Sequence, residues 1–349
     1  MSNLLNRSTT LPVYREAGGM KYPWMEDATK LLMDMFWKFD AIELGKDVED
    51  YAKGSKKERG DIQEIMKLFT QNEVQVSHGY VKMATIFKPE EVVNWCVYAN
   101  GTEVTHKMAY SLFTETILPN TSIYTDFLDI NVMATKSTFL DKAKVKKWED
   151  YKAVGLTDAE VDWEFRRAVA RMLAVYGGGT ELVSLYAQFA MLLQFQFAGK
   201  YPGLCQIVEY SIRDEYIHGL TNCRLFREYI SENKDIWDDE LKFDIYEGTR
   251  ELVSYEESLI DYIDPAHIDK DKCKEYVRYQ ADQALKELGM KPNYNIADNP
   301  FPFMGEVTGT ILTDFFSGKV TSYSRKMLGT KENLRAKIKK LNGESHEKN

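Results

Sequence analysis

The sequence predicts an all-α protein, on three observations. Apolar residues recur at helical intervals over long proline-free stretches, helix-start signals precede them, and neither sustained alternation nor a hairpin signature marks a strand. The first twenty residues lack the apolar core of a signal peptide and read as a loose segment. Residues 57–86 carry Ile62, Ile65, Met66 and Phe69 as one apolar stripe, which predicts a helix. Pro89-Glu90-Glu91 opens the next, with proline in the first turn and acids behind it. That helix carries Trp95, Tyr98, His106 and Tyr110 and stops before Pro119-Asn120. Thr157-Asp158-Ala159-Glu160 reads as a capping box. Gly177-Gly178-Gly179 punctuates, and Thr180–Gly199 forms a further helix. Pro202-Gly203 starts another, running through Cys205, Val208 and Ile212 to about Ile230. Two more cover roughly 236–262 and 268–288 before Asn299-Pro300-Phe301-Pro302-Phe303 breaks the pattern. A last apolar stretch reaches Phe315-Phe316, so one helical domain is expected over 21–316. The tail, 317–349, has few large apolar residues; from Lys326 to Asn349 it has seven Lys/Arg against three Glu and is expected to be mobile.

Composition narrows the function. The 349 residues are 44% hydrophobic and 13% aromatic, enough for a well-filled core, and carry no repeat or low-complexity tract. A formal charge of −9 argues against a nucleic-acid-binding face. The absence of a run of about 18 apolar residues argues against a membrane span. Cys96, Cys205, Cys223 and Cys273 are scattered without CxxC spacing and read as reduced thiols of a cytoplasmic protein.

Two short strings carry the chemistry: Glu103-Val104-Thr105-His106 and Arg213-Asp214-Glu215-Tyr216-Ile217-His218. In each, a carboxylate and an imidazole three residues apart share one helix face. With only five histidines in the chain, two such pairs arise by chance roughly 5% of the time. Two facing helices of this kind, completed by two further carboxylates, make the known dinuclear site of ferritin-like di-iron and di-manganese proteins. Glu73, in the middle of an apolar stretch, is one candidate for the missing carboxylates, because an unpaired acid would be costly there. Glu181, the only acid before the apolar run Leu182–Phe197, is either a helix-dipole partner or a ligand. A mostly carboxylate set favours iron or manganese over zinc. Tyr110 lies two turns beyond Glu103 on the same face, and is either a packed core residue or a one-electron donor to the metals. Asp264-Pro265-Ala266-His267 is a decoy, with a proline between its candidate ligands.

These residues resemble the small, radical-generating subunit of class I ribonucleotide reductase over about 22–323. Phe36-Trp37, Asn72-Glu73 (Glu where the family usually has Asp), Glu103-x-x-His106-x-x-x-Tyr110, Glu181 followed by Phe189-Ala190, and Arg213-Asp214-Glu215-x-x-His218 fall in the family's order. So do Asn299-Pro300-Phe301-Pro302-Phe303 and Phe315–Tyr323. The resemblance implies a ferritin-like bundle in which Glu73, Glu103, His106, Glu181, Glu215 and His218 hold two metal ions: iron first, with dimanganese or manganese–iron as alternatives. It implies a neutral radical on Tyr110, shielded by the apolar faces around Leu185, Phe189 and Ile212. Trp37 and Tyr323 would carry the hole outward, with Asp214 linking His106 or His218 to Trp37. The partners implied are a second copy of the chain and a large catalytic subunit that docks the tail and reduces ribonucleotides, with an activating flavoprotein as a further candidate. Leu328, Leu334, Ile338 and Leu341 are spaced for a short docking helix. The competing readings are an iron-storage protein, or a di-iron oxidase or monooxygenase acting on an organic substrate.

Overall fold

The computed structural model describes residues 4–6, 11–16, 18–118, 122–146, 150 and 155–307. Eleven α-helices are named here: α1 Pro23–Asp34, α2 Gly45–Lys53, α3 Lys56–Ile86, α4 Glu90–Ile117, α5 Ile123–Asp126, α6 Asn131–Lys142, α7 Asp158–Leu173, α8 Tyr186–Leu193, α9 Pro202–Glu232, α10 Asp239–Ile263 and α11 Lys270–Glu287. No strand occurs among the described residues; the one β-bridge pairs Glu16 with Gly19. The expected all-α class therefore stands.

The three longest helices, α3, α4 and α9, run 31, 28 and 31 residues. Long helices need packing to be stable, and these have it: Ile62, Ile65, Met66 and Phe69 of α3 are buried, at about 1.5–3 kcal/mol for each large side chain fully buried. α3 packs along α4, and α1 lies against α4 and α9. Starts follow the anticipated chemistry. Ser55 accepts from the Glu58 amide (3.1 Å) ahead of α3, Pro89 precedes α4, and Thr157 with Glu160 forms a full capping box on α7.

The start of α9 is capped from a distance. Asp47 of α2 accepts from the Gly203 and Leu204 amides (3.0 and 2.8 Å), and Asp50 from Tyr201 (2.9 Å). The two carboxylates meet the positive end of the helix and satisfy its exposed amides.

The largest departure from expectation surrounds Glu181. The Gly177-Gly178-Gly179 run does not interrupt the chain, and Thr180–Gly199 is not one helix. α7 continues through Ala174–Thr180 as a π-helical segment. The break comes later: Leu185 takes a left-handed conformation (φ 67°), then the short α8 and a 3₁₀ turn, Gln194–Ala198, follow. A Cβ at position 177 would meet the α9 backbone at Cys223 N (3.1 Å), so glycine lets the π segment approach the long helix. A second departure is near the N-terminus. Leu4 is not loose: it is fully buried, its amide donates to Glu232 (3.2 Å) and its carbonyl accepts from Lys88 (3.0 Å).

Phe315-Phe316, Tyr323 and the basic tail lie outside the described residues. Among the described residues no helix is long and apolar enough to cross a membrane.

Candidate metal centre

Four stretches of chain converge at one place. α3 contributes Glu73, α4 contributes Glu103 and His106, α9 contributes Glu215 and His218, and the turn after the π segment contributes Glu181. All six are buried, the least of them Glu215 at 6% exposure. Their ligating atoms form two quartets, each within 4.8 Å: Glu73, Glu103, His106 and Glu215, and Glu103, Glu181, Glu215 and His218. Glu103 and Glu215 belong to both quartets and sit where bridging ligands would. The two imidazole centroids are 6.4 Å apart.

The imidazoles turn Nδ1 inward. His106 Nδ1 lies 3.0 Å from Glu215, 3.5 Å from Glu103 and 3.7 Å from Glu73. His218 Nδ1 lies 2.9 Å from Glu103, 3.2 Å from Glu215 and 3.8 Å from Glu181. Proximity is not pairing, however. Glu73 Oε1, both Glu103 oxygens and His106 Nδ1 are buried without a hydrogen bond of acceptable geometry. Orphaned acceptors at this depth are rare because each forfeits its hydration. Four carboxylates and two imidazole nitrogens, several of them orphaned and all convergent, fit two hard-to-borderline cations.

The proton affinities reflect the crowding. Burial, then the charges of Glu103 and Glu215, push the Glu73 carboxyl well up. Burial, then Glu215, does the same to Glu181. Burial opposes charge on the imidazoles too, yet Glu215 and Asp214 around His106, and Glu103 and Glu181 around His218, overcome it and push both well up. Burial also acts to raise Glu103 and Glu215, but the imidazoles hold both below the ordinary carboxylate range.

The outward nitrogens are fixed by different partners. His106 Nε2 meets Asp214 (3.1 Å), and the same Asp214 oxygen accepts from Trp37 Nε1 (2.9 Å). Trp37 stacks over His106 with centroids 6.0 Å apart and planes 22° from parallel. Of the two links open to Asp214, the structure shows the one through His106. His218 Nε2 meets Thr102 Oγ1 (2.9 Å) instead. The Thr102 hydroxyl donates to the Ala99 carbonyl (2.7 Å), so its oxygen accepts from Nε2–H, and Nδ1 is the nitrogen turned toward the carboxylates. Glu181 is backed by a buried chain: Trp95 Nε1 donates to Asn222 Oδ1 (3.0 Å), Asn222 Nδ2 to Tyr80 Oη (2.9 Å), and Tyr80 Oη to Glu181.

Tyr110 sits one turn past His106, with zero exposure and a hydroxyl that has no hydrogen-bond partner. Phe69 meets it edge-on at 5.0 Å, and Phe189 packs on Phe69 at 5.3 Å. Leu185, Phe189 and Ile212 are all buried; the ring against the phenol is Phe69, and the α9 residue that bears on its hydroxyl is Ser211, the neighbour of Ile212. Sequence reasoning also missed Thr102, Tyr80 and Asn222. Each lies four or seven residues from a ligand, and a polar residue in phase with a ligand on an apolar helix is the signal that would have found them. His267, the decoy, bonds the Met191 carbonyl (2.8 Å) and stacks on Phe195, away from the ligand quartets. All four cysteines are buried and unpaired.

A helical bundle enclosing two overlapping carboxylate–imidazole quartets defines a ferritin-like dimetal-carboxylate protein. A model of the ribonucleotide reductase small chain matches residues 18–300. The chain belongs to that family. It is 27% identical over 321 residues to a probable ribonucleoside-diphosphate reductase small subunit of Invertebrate iridescent virus 3, covering 88% of this chain and 84% of the viral one. Its fold is similar to the ribonucleotide reductase R2 subunit from Clostridium botulinum (TM-score 0.75, 20% identity, 88% of this chain and 94% of that one). It is also similar to dimanganese(II) NrdF of Streptococcus sanguinis (TM-score 0.59, 19% identity, 84% and 98%).

Proposed function

We propose that this chain is the radical-generating small subunit of a cytoplasmic ribonucleoside-diphosphate reductase, working as a homodimer with a large catalytic subunit. Glu73, Glu103, His106, Glu181, Glu215 and His218 are the proposed ligands, and Tyr110 the proposed radical site. An iron pair is the proposed occupant. Dimanganese, as in the Streptococcus protein, or manganese–iron would use the same six ligands, with an activating flavoprotein in the manganese case. When bound, the metal pair supplies the oxidising power to take one electron from a phenol.

The protein's own residues supply the rest. Phe69 and Phe189 keep water from Tyr110, which a phenoxyl radical requires to persist. Thr102 and Asp214 hold the two imidazoles with Nδ1 facing inward. Asp214 also ties Trp37 to His106, giving a buried ligand a hydrogen-bonded connection to a half-buried indole. That shared carboxylate is the observation that carries the reading, because storage of iron or oxidation of an organic substrate needs no route for an electron toward the surface. From Trp37 the hole would pass to Tyr323 and on to the large subunit, which reduces the ribonucleotide. A cavity of about 640 Å³ between α6, α7 and α10 is lined by none of the six proposed ligands.

The test is to load metal-free protein with Fe(II) or Mn(II), supply oxygen or another oxidant, and record EPR alongside metal analysis. A tyrosyl signal that vanishes in Tyr110→Phe is expected. A dinuclear centre that assembles normally and yields no radical under any activation would refute the proposal. Tyr323→Phe is expected to keep the radical and lose turnover with the cognate large subunit.

A further inference from the structure

Helices α4 and α9 run antiparallel across the centre and meet in rungs. Thr102 faces His218, and one turn on His106 faces Asp214 and Glu215. Each step of one turn forward on α4 is matched by one turn back on α9. The next rung therefore pairs Tyr110, four residues after His106, with Ser211, four before Glu215.

Both members of that rung are wholly buried, and neither hydroxyl has a hydrogen-bond partner. For a helical serine this is unusual, because the hydroxyl normally bonds back to the carbonyl one turn earlier. Ser258 and Thr249 of α10 do so, at 2.8 Å each. Ser211 forgoes that bond at zero exposure, which leaves a donor unsatisfied. Its influence reaches the phenol: burial and the Glu73 charge push the Tyr110 hydroxyl well up, whereas Ser211 acts to lower it.

We propose that Ser211 is the hydrogen-bond partner of Tyr110, a positioning residue that donates to the phenoxyl oxygen when the tyrosine is in its radical state. This rests on the reading of Tyr110 as the radical site. The neutral radical has lost the phenolic proton, so its oxygen can only accept. The apolar ring beside it, Phe69, and Phe189 packed behind that ring offer no donor. A serine hydroxyl rotates freely about Cβ–Oγ. It can accept from the phenol in one state and donate to the radical in the other without moving the backbone. The radical is thereby held by a defined polar contact inside an otherwise apolar pocket.

Two measurements test this. In the metal-free protein, ultraviolet resonance Raman difference spectra against Tyr110→Phe report hydrogen bonding of that one phenol. Ser211→Ala is expected to shift them toward an unbonded phenol and Ser211→Thr to restore the wild-type pattern. In the metal-loaded, activated protein, high-field EPR and deuterium ENDOR after exchange into D₂O are expected to show one exchangeable deuteron coupled to the radical. Ser211→Ala is expected to lose that coupling, shift the low-field g component upward and shorten the radical's lifetime, with metal content unchanged. Raman spectra unaffected by Ser211→Ala, or a coupling that survives it, would overturn the proposal. Absence of any wild-type radical would instead count against the functional reading, and the Raman comparison would still decide the contact.

Discussion

Loading the metal-free protein with two divalent ions at neutral pH should expel about four protons, a number that follows from the crowding of the six ligands. Without metal, Glu73 and Glu181 are pushed up toward their neutral acid form, first by burial and then by neighbouring carboxylates. His106 and His218 are pushed up toward their charged form, the surrounding carboxylates outweighing burial. Glu103 and Glu215 stay ionised, held down by those imidazoles. In that protonation pattern the charges of the six groups cancel: two imidazolium charges against two carboxylates. With metal bound, four carboxylates face two dications and both imidazoles are uncharged, so the cluster is neutral again. Keeping that balance requires four protons to leave. The sign is fixed: each group must deprotonate to bind, so affinity rises with pH until the metal-free groups lose their protons unaided. Each proton couples about 1.36 kcal/mol per pH unit, so the pair should bind more tightly by about 5.4 kcal/mol per unit, or roughly a hundredfold per ion. The assay is metal titration in weakly buffered solution with a pH indicator, supported by calorimetry in buffers of different ionisation enthalpy. Glu181→Gln should lower the release by about one proton. Release below about two protons, or affinity indifferent to pH between about 6 and 8, would refute this account of the cluster.

Other consequences are equally direct. Trp37→Phe keeps an aromatic ring but removes the donor to Asp214; metal content and the Tyr110 radical should persist while turnover with the large subunit falls to background. Lys136 and Glu256 form a wholly buried ion pair at 2.6 Å. Lys136→Met should cost about 3–5 kcal/mol in urea unfolding, and adding Glu256→Gln should recover most of it, because the stranded charge carries the penalty. Gly219→Ala would drive a Cβ into the side chain of Leu182, the residue after Glu181. It should destabilise by about 1–3 kcal/mol and lower uptake of the ion for which Glu181 and His218 are the proposed ligands, read by metal analysis.

The parts of the fold and site that were legible in the sequence are those where regular geometry carries the information. The helices bearing Glu73, Glu103, His106, Glu215 and His218 were anticipated within a few residues of their ends, because spacing by three and four survives unchanged from sequence into an α-helix. α2 was missed because its buried residues are Asp47 and Asp50, which work as caps for α9, so a search for apolar periodicity does not register it. α6 was missed for a similar reason: one of its three buried residues is Lys136. The backbone around Glu181 was misread because glycines that normally end helices here continue one in π form. The choice between His106 and His218 as the partner of Asp214 depends on which way two helices face, and no spacing within one helix encodes that.

The π segment also makes this part of the chain sensitive to length as well as to composition. Each residue added to or removed from a helix rotates everything beyond it by about 100°. Removing one of Gly177–Gly179 would therefore not trim a permissive loop. It would return Ala174–Thr180 toward α-helical register and swing Glu181 out of line with Glu103, Glu215 and His218. The place of this carboxylate depends on a residue count, so insertions and deletions here should be poorly tolerated even where the residues gained or lost are glycines.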